Sequence, residues 1–172
     1  ADYGHGMLTP ATIELLCTRA RFLAVNTQAN AGNRGFNTIS KYRRADYVCL
    51  AGHEIALETR MRHADRQELV LEVIKRIDCP RFTVTWGRDG TLHYTPEDGV
   101  LQVPALATRV ADRVGAGDAV LAVTSLLVAQ RAPWDIVGFL GNIAGAQMVA
   151  DLGNRVVVDK ASIARHVKSL MK

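Results

Sequence analysis

Short apolar runs alternate with helical stripes along the first half of the chain. Buried strands are predicted at 22–25, 47–50 and 82–86, where β-branched and aromatic residues cluster. Thr9 and Pro10 predict the start of a helix, a second helix is expected to begin near His53 and Glu54, and an apolar stripe predicts a third over 65–77. This alternation is typical of βαβ units, which build a mostly parallel sheet.

The pattern after residue 86 predicts a hairpin followed by three helices. A turn at 87–90 should return the chain as a strand at 91–95, and residues 100–103 and 107–110 are predicted to be edge strands. Apolar helices are expected over 117–130 and from Pro133 to about Asp151, with a stop at Gly153. Asp159 is predicted to cap a last helix that ends near Leu170. We therefore expect an α/β fold.

Composition is ordinary for a soluble globular domain, with 172 residues, 48% of them hydrophobic and 22% charged. No apolar run approaches the roughly 18 residues of a membrane span, and no signal peptide is visible at the start. The three cysteines are odd in number and lack CxxC spacing, which argues against a disulfide framework or a zinc site. A reducing cytoplasm is the simplest expected location.

The net charge is +4, and local basic pairs occur at Arg43 with Arg44 and at Arg60 with Arg62. We interpret these pairs as solvated surface, because nucleic-acid binding would favour a longer basic run or interleaved aromatic residues. No nucleic-acid and no membrane partner is therefore expected. A mildly basic surface also suits an anionic small molecule.

The strongest chemical signal is the turn Gly115-Ala116-Gly117 directly before Asp118, at the start of an apolar helix. Such a turn points backbone N–H groups outward, and the helix dipole adds partial positive charge, so the turn can hold an anion such as phosphate. A carboxylate cannot itself help to bind phosphate. Asp118 therefore indicates another role, such as accepting a proton from a hydroxyl that attacks the phosphate.

The segment 112–118, Asp-Arg-Val-Gly-Ala-Gly-Asp, resembles the C-terminal signature of the PfkB (ribokinase-like) carbohydrate kinases. The segment 85–90 resembles the loop that this family places at the nucleotide, and Asn142 stands where members often have an adenosine contact. The opening residues 2–6, Asp-Tyr-Gly-His-Gly, resemble a motif of the heptose-phosphate kinase branch. The resemblance implies a ribokinase-like three-layer αβα sandwich with its N-terminal part missing. Residues 1–172 would then be the C-terminal, nucleotide-binding portion of a PfkB-like kinase domain.

The resemblance also implies a role for each matching residue. Asp118 would be the general base, and the N–H groups of Gly115, Ala116 and Gly117 would stabilise charge on the transferred phosphoryl group. The implied nucleotide-binding residues are Thr85, Gly87, Gly90, Asn142 and Gly117, and the implied metal-linked residues are Asp112 and Glu54. The expected cofactors are ATP and Mg²⁺, with K⁺ at a monovalent-cation site near Asp112 as in many members. The expected partners are ATP and a small sugar or sugar phosphate, with a homodimer as a candidate assembly.

Two positions depart from the family pattern. Arg113 stands where the family usually has threonine, and Ala51 stands where members often have the asparagine of Asn-x-x-Glu, although Glu54 is kept. These departures favour an alternative function, a non-catalytic module that binds a nucleotide or another anion. The isolated 172 residues are expected to be inactive on sugars, because the sugar-side portion would be absent.

Structural explanations also compete for four of the site residues. Asp118 could simply complement the helix dipole, and Glu54 could be an ordinary acid at a helix start. Asp112 could be a turn residue, and Asn142 could make a buried structural hydrogen bond.

Overall fold

The computed structural model describes residues 1–61, 63–153, 155 and 157–172, so Arg62 of the second basic pair lies outside the described residues. The described chain is a mixed α/β fold. Its helices and strands are α1 (Pro10–Arg19), β1 (Ala24–Val25), β2 (Tyr47–Ala51), α2 (Gly52–Thr59), α3 (Arg66–Ile74), β3 (Phe82–Thr85), β4 (Thr91–Thr95), β5 (Gly99–Val103), α4 (Ala116–Ala129), α5 (Trp134–Val149) and α6 (Lys160–Leu170). Short 3₁₀ turns lie at Ile39–Lys41 and Gly87–Asp89.

The five strands form one sheet in the order β1-β2-β3-β4-β5. β1 and β2 are parallel, with Val25 opposite Val48, and β2 and β3 are parallel, with Val48 opposite Phe82. Residues 47–50 of β2 are all buried, as expected for a strand inside a parallel sheet that is covered on both faces. The predicted α/β class with a mostly parallel sheet is confirmed.

The chain divides into two compact units. The first unit comprises residues 1–85 and 92–101, and it contains the helices α1, α2 and α3 together with most of the sheet. The second unit comprises residues 86–91 and 102–172, and it contains the 3₁₀ turn at Gly87–Asp89 and the helices α4, α5 and α6. Among the described residues, no helix combines the length and the apolar character that crossing a bilayer requires.

Two strand predictions differ from the structure. The segment 107–110 is not a strand; the chain instead runs on to Ala111, whose N–H bonds to Val149 at the end of α5, 2.7 Å away. The strand predicted at 22–25 shortens to Ala24–Val25. At residue 23 the backbone N–H bonds to a side chain and not to a strand, since the Leu23 N–H donates to the Asp46 carboxylate at 2.7 Å.

His93 is a buried histidine in the first unit. It lies on β4, is 1% exposed, and its Nδ1 lies 2.8 Å from the Thr83 hydroxyl on β3. Burial disfavours the charged imidazolium and lowers the pKa of His93 to about 4. The folded protein therefore holds this side chain neutral at neutral pH.

We expect the free energy of unfolding to fall as the pH drops from about 6.5 to about 4. In this window the unfolded chain binds a proton at His93 that the folded chain resists, so acid favours unfolding, by up to about 3 kcal/mol. Urea denaturation of His93→Asn across this pH range should lack this part of the slope. The same substitution at the exposed His63 should keep it. An unchanged slope in His93→Asn would contradict the assignment.

Candidate active site

The turn before α4 has the geometry that its glycines predict. Gly115 precedes the helix in the left-handed region, with φ of 80°, where a side chain would be strained. Its carbonyl accepts the Ala119 N–H at 2.9 Å and so closes the first helical turn, which contains Asp118. The N–H groups of a first turn have no acceptor within their own helix, so this end of α4 can receive an anion.

One of the three predicted N–H donors is already used within the turn. The Ala116 N–H donates to the Arg113 carbonyl over a long 3.4 Å. Such a long bond is weak and can be exchanged for a better acceptor. The Arg113 side chain is exposed.

Asp112 joins this turn to the segment that follows α5. Its Oδ1 accepts the Val114 N–H at 3.0 Å, and its Oδ2 accepts the Gly153 N–H at 3.3 Å. These two backbone donors lower the pKa of Asp112, so the side chain stays a carboxylate. Asp112 thus makes the local backbone bond that is typical of a turn residue. Its role at a monovalent-cation site stays a prediction.

Helices α4 and α5 pack closely through glycine. A Cβ at Gly141 would lie 2.6 Å from Cγ2 of Thr124, and one at Gly145 would lie 3.2 Å from Cγ2 of Val120. A larger residue at Gly141 would therefore push the helices apart. The Thr124 hydroxyl donates to the Val120 carbonyl at 2.6 Å, which leaves its methyl group at this contact.

Asn142 on α5 is buried and holds the start of β4. Its Nδ2 donates to the Thr91 hydroxyl at 2.8 Å and to the Gly138 carbonyl at 2.9 Å. The buried structural hydrogen bond is therefore present. The contact with an adenosine stays a prediction.

The loop that contains Gly87 and Gly90 is closed by its backbone. The Trp86 N–H donates to the Gly90 carbonyl at 2.8 Å, and the Gly90 N–H donates to the Gly87 carbonyl at 3.2 Å. Gly90 has φ of 86° and ψ of −138°, which is outside the region that other residues adopt. A Cβ there would lie 2.7 Å from the Ala105 nitrogen and closer still to the Val103 carbonyl oxygen.

Glu54 lies in the first unit, in the first turn of α2. Its Oε1 accepts the Ala29 N–H at 3.0 Å, and its Oε2 accepts the Ala51 N–H at 2.8 Å. Both oxygens thus bind the backbone, as an acid at a helix start does. A role linked to a metal stays a prediction.

The second unit gathers most of the predicted site residues. It contains Asp112, the turn residues 115–117, Asp118, Gly87, Gly90 and Asn142, whereas Thr85, at the end of β3, and Glu54 belong to the first unit. Asp112 connects the turn to Gly153, which follows α5 in the chain, and Asn142 connects α5 to Thr91 of the loop 86–91.

Sequence reasoning missed the asparagines of the loop after β1. Asn26 is 6% exposed, its Nδ2 donates to the Cys49 carbonyl at 2.8 Å, and its Oδ1 has no hydrogen-bond partner among the described residues. Asn30, Asn33 and Asn37 bond to the opening residues of the chain. The close spacing of four asparagines was the available signal, but their partners are distant in sequence.

The match to a family model now gives this geometry a context. Residues 8–161 match the model of the pfkB family of carbohydrate kinases. The chain belongs to the pfkB family. This confirms the resemblance that the segment 112–118 indicated.

Curated relatives include two bacterial proteins named bifunctional protein HldE. The protein from Rhodopseudomonas palustris (strain BisB18) is 30% identical over 98% of this chain, and that from Bradyrhizobium diazoefficiens is 29% identical over 91%. The chain spans 36% and 32% of their lengths, about a third.

Solved structures share the fold at low sequence identity. Phosphofructokinase-2 from Escherichia coli, in complex with potassium, is 16% identical with a TM-score of 0.77, covering 95% of this chain and 52% of its own. Ribokinase from Arabidopsis thaliana, complexed with ribose and ATP, is 16% identical with a TM-score of 0.75, covering 92% of this chain and 51% of its own. These likenesses confirm the ribokinase-like fold class.

We expect Gly90→Ala to lower the free energy of unfolding by about 2–4 kcal/mol, because the new Cβ meets backbone that cannot give way. Gly87→Ala is the matched control. Gly87 also has a positive φ, 59°, but no atom lies within 4 Å of its added Cβ, so its loss should be about 1 kcal/mol. Denaturant titration of both variants measures the difference. Equal losses would contradict the steric role of Gly90.

A double-mutant cycle tests the bond between Asn142 and Thr91. Asn142→Leu and Thr91→Val should each destabilise the protein, and the pair should be coupled by about 1 kcal/mol, because either change removes the same buried bond. Purely additive losses of stability would show that the bond contributes nothing.

Proposed function

We propose that the protein containing this chain transfers the γ-phosphoryl group of ATP to a hydroxyl of a sugar or sugar phosphate, with Asp118 as general base. The observation that carries this proposal is the position of Asp118 in the first turn of α4, three residues after the left-handed Gly115. A proton acceptor there adjoins the backbone N–H groups that would stabilise the phosphoryl charge. Membership of the pfkB carbohydrate kinases supports the reaction class.

Each remaining site residue has a place in this proposal. The N–H groups of Gly115, Ala116 and Gly117 would stabilise the charge on the phosphoryl group while it passes from ATP to the sugar hydroxyl. Thr85, Gly87, Gly90 and Asn142 would contribute to the nucleotide site. Catalysis would then rest on positioning and electrostatics rather than on covalent chemistry.

The oxygen donors fit a magnesium ion that arrives with the phosphates of ATP. The described residues contain no group of three His, Cys, Asp or Glu side chains that could hold a metal ion by themselves. Mg²⁺ does not need such a group, because it commonly binds one or two carboxylates together with phosphates and water. Glu54 and the orphaned Oδ1 of Asn26 are oxygen acceptors that such a hydrated ion could use. The ion would neutralise phosphate charge. Asp112 is the carboxylate that we assign to a K⁺ site.

The acceptor that we favour is a heptose phosphate. The opening motif at residues 2–6 supports this branch, and so does the likeness to proteins named HldE. A cytoplasmic location and a homodimer belong to the same proposal.

Asp118→Asn in the full-length protein tests the base. We expect kcat for sugar phosphorylation to fall by several orders of magnitude with little change in ATP affinity, because the amide cannot accept the proton. The matched control is Asp135→Asn, which changes an acid in the first turn of α5 and should leave kcat unchanged. A variant of Asp118 that kept its activity would refute the assignment.

A non-catalytic nucleotide-binding module is the second candidate, favoured by Ala51 and by the exposed Arg113. Calorimetry with ATP and Mg²⁺, paired with a product assay on a sugar panel, separates the two. Binding without product from the full-length protein would support the module, whereas product formation would exclude it.

The 172 residues alone should bind nucleotide weakly and phosphorylate sugars poorly, since they span about half of the kinase structures that they resemble. Measuring both properties on the isolated chain and on the full-length protein tests this expectation. Robust turnover by the isolated chain would overturn it.

A further inference from the structure

A cavity of about 330 Å³ lies between α1 and the segment 41–43, which precedes β2. Its apolar lining comes from Leu8, Pro10, Ile13 and Cys17, and the last three are spaced so that they share one face of α1. All residues of the lining belong to the first unit. We call this cavity the α1 cleft. Its volume falls within the range of small-molecule sites, roughly 300–1,000 Å³.

Two cations, Lys41 and Arg43, also line the α1 cleft. The backbone of Tyr42 between them is extended, with φ of −93° and ψ of 108°. In an extended segment alternate side chains point to the same side, so residues 41 and 43 share one side and the ring of Tyr42 takes the other. That ring is accordingly buried, with 1% exposed. The alternation thus brings both positive charges to one cavity.

Both cations keep hydrogen-bond donors in reserve. The Lys41 ammonium pairs with the Asp2 carboxylate at 2.6 Å and donates to Oδ1 of Asn37, so two of its three N–H groups have acceptors among the described residues. The Arg43 guanidinium pairs with Glu14 at 2.6 Å, which leaves most of its five N–H groups for another acceptor. The α1 cleft therefore offers charged donors beside an apolar helix face.

Glu14 is the one acid of this lining among the described residues. Its ion pair with Arg43 is open to water, since the two side chains are 55% and 63% exposed, and exposed ion pairs contribute little to stability. A carboxylate or phosphate can engage a guanidinium through two parallel hydrogen bonds, which is the stronger arrangement. An incoming anion can therefore draw Arg43 from Glu14 at little cost.

We propose that the α1 cleft binds a small organic anion, a carboxylate or a phosphate ester. Its charged oxygens accept N–H groups of Lys41 and Arg43, and its short apolar body contacts Ile13 and Cys17. A cavity with an apolar wall and a few convergent polar groups is the usual form of a small-molecule site. No residue of the lining has a part in the phosphoryl transfer proposed above, so either proposal can fail without the other.

Saturation-transfer NMR on the full-length protein tests the site with three probes that share one apolar tail: isocaproate, isopentyl phosphate and isopentyl alcohol. We expect an anion to bind, and the uncharged alcohol to bind at least roughly tenfold more weakly, because it cannot pair with the cations. The tighter anion identifies the head group, carboxylate or phosphate. No measurable binding of either anion at about 10 mM would overturn the inference.

The ion pair of Arg43 and Glu14 supplies two variants with opposite expected effects. Arg43→Met should raise Kd for the bound anion about tenfold or more, because a charge-assisted hydrogen bond is lost. Glu14→Gln should lower Kd, because it removes the competing carboxylate. Arg21→Met, at an exposed cation outside the lining, is the matched control and should leave Kd nearly unchanged. Equal changes in the two arginine variants would indicate attraction by net charge alone and overturn the inference.

Leu8→Trp tests the apolar part of the cleft while it leaves both cations in place. Leu8 is half-buried at the cavity, so the larger indole should fill the space and exclude the tail of the probe. Binding is compared only in variants that melt at the temperature of the wild type. If Leu8→Trp fails to fold, the exposed Arg43→Met still decides. Unchanged binding in either folded variant would place the anion outside the α1 cleft and overturn the inference.

Discussion

The close approach of α4 and α5 is the constraint on which the candidate site depends. Because Gly141 has no side chain, the methyl group of Thr124 can lie only 2.6 Å from the place where a Cβ would stand. The end of α5 can then reach the segment before α4. There the Val149 carbonyl accepts the N–H groups of Ala111 and Asp112. The geometry of the turn that contains Asp118 thus depends on a glycine contact more than twenty residues later in the sequence.

Structural bonds and proposed ligand roles coincide at several residues of the second unit. The two carboxylate oxygens of Asp112 accept the N–H groups of Val114 and Gly153. The amide nitrogen of Asn142 donates to the Thr91 hydroxyl and the Gly138 carbonyl. Such bonds do not compete with function. They hold each group in one orientation before a ligand arrives, and this preorganisation is what electrostatic catalysis requires.

Local signals predicted the elements well, and non-local contacts explain the failures. The helix α4 and its glycine turn follow from a few adjacent residues, so the sequence was sufficient there. Gly90 was predicted as a ligand residue, yet its clearest requirement is steric and comes from the Val103 carbonyl on β5. The strand predicted at 107–110 failed because the next backbone N–H bonds to a helix end, a partner that periodicity does not reveal.

The alanine at position 51 now counts less against catalysis than it does in the sequence alone. In the structure Glu54 accepts the backbone N–H of Ala51, a group that every residue except proline supplies, and its other oxygen binds the Ala29 N–H. Loss of the asparagine side chain therefore leaves the position of this carboxylate unchanged. An asparagine at position 51 would add one amide next to the start of α2, and the backbone bonds that hold Glu54 do not require it.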